Sequence, residues 1–186
     1  MASQLQLDQV RDTGLRRPGP LDSNDRYGWV RISPVYVPLT GRESEIVLAG
    51  YVEDDAMQDF EQAVDNLLSL EHESLRFCER WVFEYYLDAR ATRDDGEVLP
   101  PLVASPTELW SHVQFGQTIV VARRAEADRA VYVSIESTCD WEPERGLQLV
   151  FRKGERITKV GPCDGHLSNA DAFGRPGLDH IVYVRT

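Results

Sequence analysis

The spacing of apolar and polar residues changes along the chain, and each change marks a new kind of element. From Trp29 to Pro38 apolar residues partly alternate with polar ones (Val30, Ile32, Val35, Val37), which predicts a strand. Pro34 and Pro38 have no N–H to give to a ladder, so this strand belongs at a sheet edge or carries a bulge. Thr40-Gly41-Arg42-Glu43 reads as a turn and Glu45 to Val52 as the returning strand, a β-hairpin over 28–52. The period then becomes helical. Phe60, Val64, Leu67 and Leu68 share one helix face, and Leu75, Cys78, Trp81, Val82, Tyr85 and Tyr86 share another. Two helices with a joint near Ser69 to Glu73 fit the length better than one, with Asp54 or Asp55 as the first cap. Aromatics all around the second helix (Phe77 and Phe83 lie off its main face) point to burial on more than one side or to an exposed patch that binds a partner.

Asp94-Asp95-Gly96 through Pro100-Pro101 is a loop, and Ser105-Pro106-Thr107-Glu108 combines a serine cap, proline and glutamate as a helix start. From Gln117 the period becomes two. Thr118–Arg123, Ala130–Glu136, Leu147–Phe151 and Arg156–Val160 read as strands, Arg152 to Glu155 as a turn, and Ile181–Val184 as a final strand. The predicted architecture is α+β: an antiparallel sheet of five to seven strands with two or three helices packed on one face. It divides into a polar arm over 1–27 and a single α+β domain over 28–186. Within the domain the hairpin is followed by an acidic helical segment over 54–113 and a β-meander over 117–186.

Charge sharpens this picture through its placement. Between Glu53 and Trp110 the chain carries 15 acidic residues against four arginines, an excess equal to its whole net charge of −11. A surface of that sign repels phosphate backbones, so nucleic acid is not an expected partner. It would draw in a basic protein and speed the encounter; an ordinary solvated helix face would have the same composition. No apolar run is long enough to span a membrane, and the first residues lack a basic start followed by an apolar stretch. A cytoplasmic protein is expected, and three cysteines (Cys78, Cys139, Cys163) agree, being too few and odd in number for a disulfide framework.

Candidate chemistry concentrates between Cys139 and Phe173. Asp140-Trp141-Glu142-Pro143-Glu144 alternates carboxylates as a calcium loop does, but such a loop needs glycine at its sixth position and glutamate at its twelfth. Arg145 and Phe151 stand there instead. Asp164, His166 and Asp171 offer two oxygens and a nitrogen that suit zinc, iron or manganese, the basis of an alternative reading as a metal-dependent hydrolase or metal-binding regulator. The same residues, with Ser168 and Asn169, are also ordinary turn formers. Cys163 with His166 or His180 would be a cysteine–histidine pair, yet nothing nearby favours a thiolate. No nucleophile elbow, phosphate loop or dinucleotide fingerprint is present, and no cofactor is expected.

Glu108-Leu109-Trp110, the strand Val131 to Ser137, CDWEPERGLQLVF and VGPCDGHLSNADAF together resemble an uncharacterised bacterial family, a domain of unknown function. The resemblance covers about a third of the chain, from Trp110 to Phe173. The family pattern has histidine where this chain has Arg145 and an aromatic where it has Cys163. That implies that neither residue is an essential base, ligand or nucleophile. It also implies a small acidic protein in the style of immunity proteins. The expected function is therefore non-enzymatic: a protein-binding module of the immunity type that neutralises a basic toxin by contact. Asp54, Asp55, Asp59, Glu61 and Asp65 would steer the partner, and Trp141, Glu142, Glu144, Asp164, His166, Asn169 and Asp171 would hold it.

Overall fold

The computed structural model describes residues 28–92 and 100–185. The arm expected over 1–27 and the centre of the loop expected at Asp94 to Gly96 lie outside them. β1 (Val30–Val37) and β2 (Arg42–Ala49) form the predicted hairpin, closed at Gly41 with φ of 67°. Its register shifts between Ile32 and Val35, where Pro34 interrupts the ladder, and β1 is an edge strand as its prolines require.

Asp54 accepts from the Ala56 N–H at 2.8 Å, shaping the turn before α1 (Gln58–Leu68). The helix buries Phe60, Ala63, Val64 and Leu67, the i, i+3, i+4, i+7 stripe that a helix shows to a sheet. A 3-10 segment (His72–Phe77) follows, and Cys78 leads into α2 (Glu79–Ala91), which buries Val82, Tyr85, Tyr86 and Ala89. The joint therefore falls where the helical pattern changes face. Ser105 does start a helical element, but it is a 3-10 segment (Pro106–His112) and Ser105 makes no side-chain cap. Glu108 instead reaches back to the Ala104 N–H at 2.9 Å.

β3 (Val113–Arg123), β4 (Val131–Cys139), β5 (Leu147–Arg152) and β6 (Arg156–Gly161) complete a six-stranded sheet in the order β1-β2-β3-β4-β5-β6. The expected α+β class holds, with one change: β2 and β3 pair in parallel, so the sheet is mixed. The helices between these two strands carry the chain back over one face, and such a crossover brings the next strand in parallel. Every other neighbour pair is antiparallel; the meander expected over 117–186 consists of β3 to β6 and ends at Gly161. Ile181–Val184 is not a strand. It passes the outer edge of β6 and makes one ladder-like bond there, from the Val160 N–H to the Val182 carbonyl at 2.7 Å.

On the α1–α2 side, Ile46, Leu48, Ile119, Val133, Leu149 and Val160 meet the helices in one continuous core. Each such aliphatic or aromatic side chain contributes about 1.5–3 kcal/mol by leaving water. The opposite face is covered differently. Leu167 packs on Ala130, Tyr132 and Val150 there, and a short α3 (Asn169–Phe173), capped by Ser168, stands beside it. The helices thus do not all share one face.

Candidate functional site

The sheet splits between its parallel strands. The β2–β3 ladder starts at Glu45 and Thr118, so among the described residues Arg42 to Ser44 pair with β1 alone and Val113 to Phe115 with β4 alone. β3 also bulges between Phe115 and Ile119, where Gly116 passes so close to β4 that a Cβ would lie 2.8 Å from the Glu136 carbonyl. Arg42 spans the fork and donates from Nη1 to the Phe115 carbonyl. At its mouth lies an open cleft of about 530 Å3, lined by Arg42, Gln114, Gln117, Ser137, Thr138 and Cys163, with Glu136, Glu144 and Arg145 on its walls. Ser137 is 6% exposed and its hydroxyl has no hydrogen-bond partner among the described residues.

One wall is the loop 140–146, and its position is set from inside the core. Trp141 is fully buried, edge-on to Tyr85 and Tyr86 with ring centroids 6.5 and 6.1 Å away. The Tyr85 hydroxyl donates to the Gly146 carbonyl at 3.0 Å. Gly146 has φ of 61°, and a Cβ there would meet the Ser137 carbonyl at 2.3 Å, so the loop seats on β4 only with glycine at this point. Trp141 is accordingly a core residue and not a contact for a partner. Glu142 is also buried, held by Arg145 at 3.1 Å, whereas Glu144 is exposed on the cleft wall.

The remaining nominated residues fall into separate places. Asp54 and Asp59 both bind Arg123 (2.6 and 2.9 Å), which also lies 5.5 Å over the Phe60 ring. That hydrogen bond from Arg123 holds the Asp54 carboxyl below the usual carboxylate range. Glu61 accepts from the Tyr51 hydroxyl at 2.8 Å. Burial, with Glu61 adding to it, pushes Asp65 up. Asp55 is exposed. The steering acids are thus partly committed to internal pairs, while Glu71 just before the 3-10 segment and Glu73 on it, which the pattern did not single out, are exposed.

Asp164, His166 and Asp171 do not converge as a metal set. Lys159, 1% exposed, donates to Asp164, to Gln148 Oε1 at 2.6 Å and to the His166 carbonyl at 3.2 Å. Asp164 also accepts from the His166 N–H at 2.9 Å. Asp171 receives Arg124 through both carboxylate oxygens at 2.7 and 2.8 Å, and Arg124 also holds Asp179 at 2.7 Å. Burial raises the carboxyls of Asp164 and Asp171, but their cationic partners outweigh it and both end below the ordinary value. Each acid is therefore answered by its own cation, and no cluster of three His, Cys, Asp or Glu with ligand spacing occurs among the described residues. Asn169 is buried and donates to the Ile181 and Val182 carbonyls at 2.7 and 3.0 Å; it fixes the C-terminal segment and is not free to bind a partner.

The thiols are poor nucleophiles for a stated reason: burial pushes Cys78 and Cys139 up to about 12 and raises Cys163 too. Sequence reasoning missed Arg123 and Arg124, at and just after the end of β3, whose partners lie 69 and 47 residues away, and Lys159, a strand position where a cation is unremarkable.

Fold and site together define an α+β protein whose mixed sheet opens into a polar cleft at a strand fork. The chain belongs to the family defined by a domain of unknown function, DUF6985, whose model matches residues 19–167. No curated protein and no solved structure shows significant similarity to it. Among the described residues no helix is long and apolar enough to cross a membrane.

Proposed function

We propose that this chain is a non-enzymatic protein-binding module, a cytoplasmic bacterial immunity protein that neutralises a basic toxin by covering it. The observation that carries the reading is the confinement of the whole −11 excess to residues 53–110, together with Asp55, Glu71 and Glu73 standing exposed beside α1. Charges so placed raise the rate of encounter with a basic surface more than the strength of the final contact. Glu144 and His166, both exposed on the C-terminal loops, extend the contact beyond the helices.

Affinity purification of the tagged full chain from its own host tests this. The expected result is a stoichiometric basic protein that is toxic when expressed alone. In stopped-flow mixing with that protein, Asp55→Lys/Glu71→Lys/Glu73→Lys is expected to slow association about tenfold at low salt and to flatten its salt dependence. Unchanged association kinetics would remove the electrostatic basis of the proposal.

A further inference from the structure

We infer that a basic, amphipathic segment of a partner protein anchors at Phe77, seating an apolar side chain in the groove between the 3-10 segment and the β5–β6 hairpin. The inference deepens the binding-module reading and rests on it in taking the partner to be a protein. Phe77 is 64% exposed, the most exposed aromatic ring among the described residues. It ends the 3-10 segment that joins α1 to α2, and its neighbours Leu75 and Cys78 turn into the core, which leaves Phe77 facing outward.

Two hollows meet at this ring. One, of about 110 Å3, is lined mainly by apolar groups of Leu70, Phe77, Phe151 and Ile157, with Ser74 at its wall, and has room for a single aliphatic side chain. The other, of about 430 Å3, is more open and runs from Phe77 past Trp81 and Ile157 to Val182. Exposed apolar surface beside a one-residue pocket marks a contact site, because binding energy concentrates where one side chain is fully buried.

Charge selects the occupant. Glu155 lines the smaller hollow, and Glu71 and Glu73 stand exposed in the chain between Leu70 and Ser74. Arg156 lines the larger hollow, and Arg76 lies 5.0 Å over the Phe77 ring. The 3-10 segment itself belongs to residues 53–110, which hold the whole negative excess of the chain. A second copy would bring that same segment against itself with like charges opposed, whereas a basic segment is attracted to it and fills the pocket. The two parts then divide the work: the acids set the rate of encounter and the pocket sets the rate of release.

Random twelve-residue peptides displayed on phage are selected against the full-length chain, with Phe77→Ser as the counter-target. Enriched peptides are expected to combine a large apolar residue with neighbouring Lys or Arg. In surface plasmon resonance, Phe77→Ser should speed their dissociation about tenfold and leave association nearly unchanged. Ser74→Leu, which adds apolar surface but fills the smaller hollow, should have the same effect. Glu71→Gln/Glu73→Gln should do the reverse, slowing association and sparing dissociation. Thermal melts of each variant confirm that it is folded. The inference is overturned if no peptide is enriched, if enriched peptides hold Phe77→Ser as tightly, if Ser74→Leu tightens them, or if they are acidic. Self-association in the ultracentrifuge that Phe77→Ser abolishes would make the occupant a second copy of this chain and equally overturn it. Peptides anchored at Phe77 with no toxic basic protein captured from the host would remove the immunity reading and leave this one standing. A captured toxin that leaves Phe77→Ser as slowly as wild type would do the opposite.

Discussion

On the helical side the sheet is closed by Phe60, Val64, Leu67, Val82, Tyr85 and Trp141, an apolar layer with hydroxyls at its rim. On the other side β4 to β6 are closed by the chain after Gly161, and the contacts there are largely ionic. Lys159 with Asp164 and Gln148, and Arg124 with Asp171 and Asp179, surround a small apolar patch of Ala130, Tyr132, Val150 and Leu167. The first layer draws its stability from area removed from water and tolerates only changes of the right volume. The second depends on partners: each buried charge is acceptable only while its counter-charge stays. The two faces of one sheet should therefore fail under different insults.

The largest effect is expected on the apolar side. Trp141→Ala should cost about 3–5 kcal/mol in urea unfolding, because a fully buried indole between two tyrosines leaves a cavity. A loss below 1 kcal/mol would mean that the loop is not anchored as described. On the ionic side, Asp164→Ala should cost about 3 kcal/mol by leaving Lys159 buried without its counter-charge. Lys159→Met should stay within about 1 kcal/mol of wild type, since the cost lies in the unpaired ion. If both variants are equally damaging, packing and not pairing governs that face. Gly146→Ala should cost about 1–3 kcal/mol, combining a left-handed backbone with a clash on the Ser137 carbonyl, and calorimetry would show it.

Acid tests the ion pairs without mutation. Asp164, Asp171 and Asp128 have folded pKa values below the ordinary 3.8, so the stability they contribute is fully present above that value. It is lost as pH falls through their folded values. Lys159 works in the same sense at the other extreme: burial lowers its pKa from 10.5, so stability rises as pH rises between its folded value and 10.5. Melting curves below pH 3.8 should therefore fall, and Asp171→Asn should be less stable at neutral pH with a shallower acid slope. An unaltered slope would show that the Arg124 pairs contribute nothing. Smallest of all, Asp55→Lys should shift unfolding by no more than about 0.5 kcal/mol, being exposed.

Much of the fold was legible because period reports faces. The strands of the meander, the bulge at Pro34 and the joint between the helices all follow from local spacing. Period does not report neighbours, so the parallel pairing of β2 with β3, and with it the fork, could not be read from a pattern of alternation. The same limit applies to the site. Glu144 was nominated and does line the cleft, but Gln114, Gln117 and Ser137 are commonplace strand residues that acquire meaning only where two strands diverge. Trp141 was nominated as a partner contact, and local spacing could not show that Tyr85 and Tyr86 of α2 enclose it. Asp171 looked available because Arg124 lies 47 residues earlier.

The passage of the segment after Gly161 around β6 decides what a truncated chain would expose. After meeting Leu167 on one face, the chain crosses the edge at Val182, and Tyr183 and Arg185 then bind Asp88 of α2 at 2.7 Å each. Among the described residues, the outer edge of β6 is thus covered by the segment around Val182. A chain released before Val182 would leave that edge open to any other strand in reach, and is expected to be a sticky polypeptide and not a slightly shorter functional one.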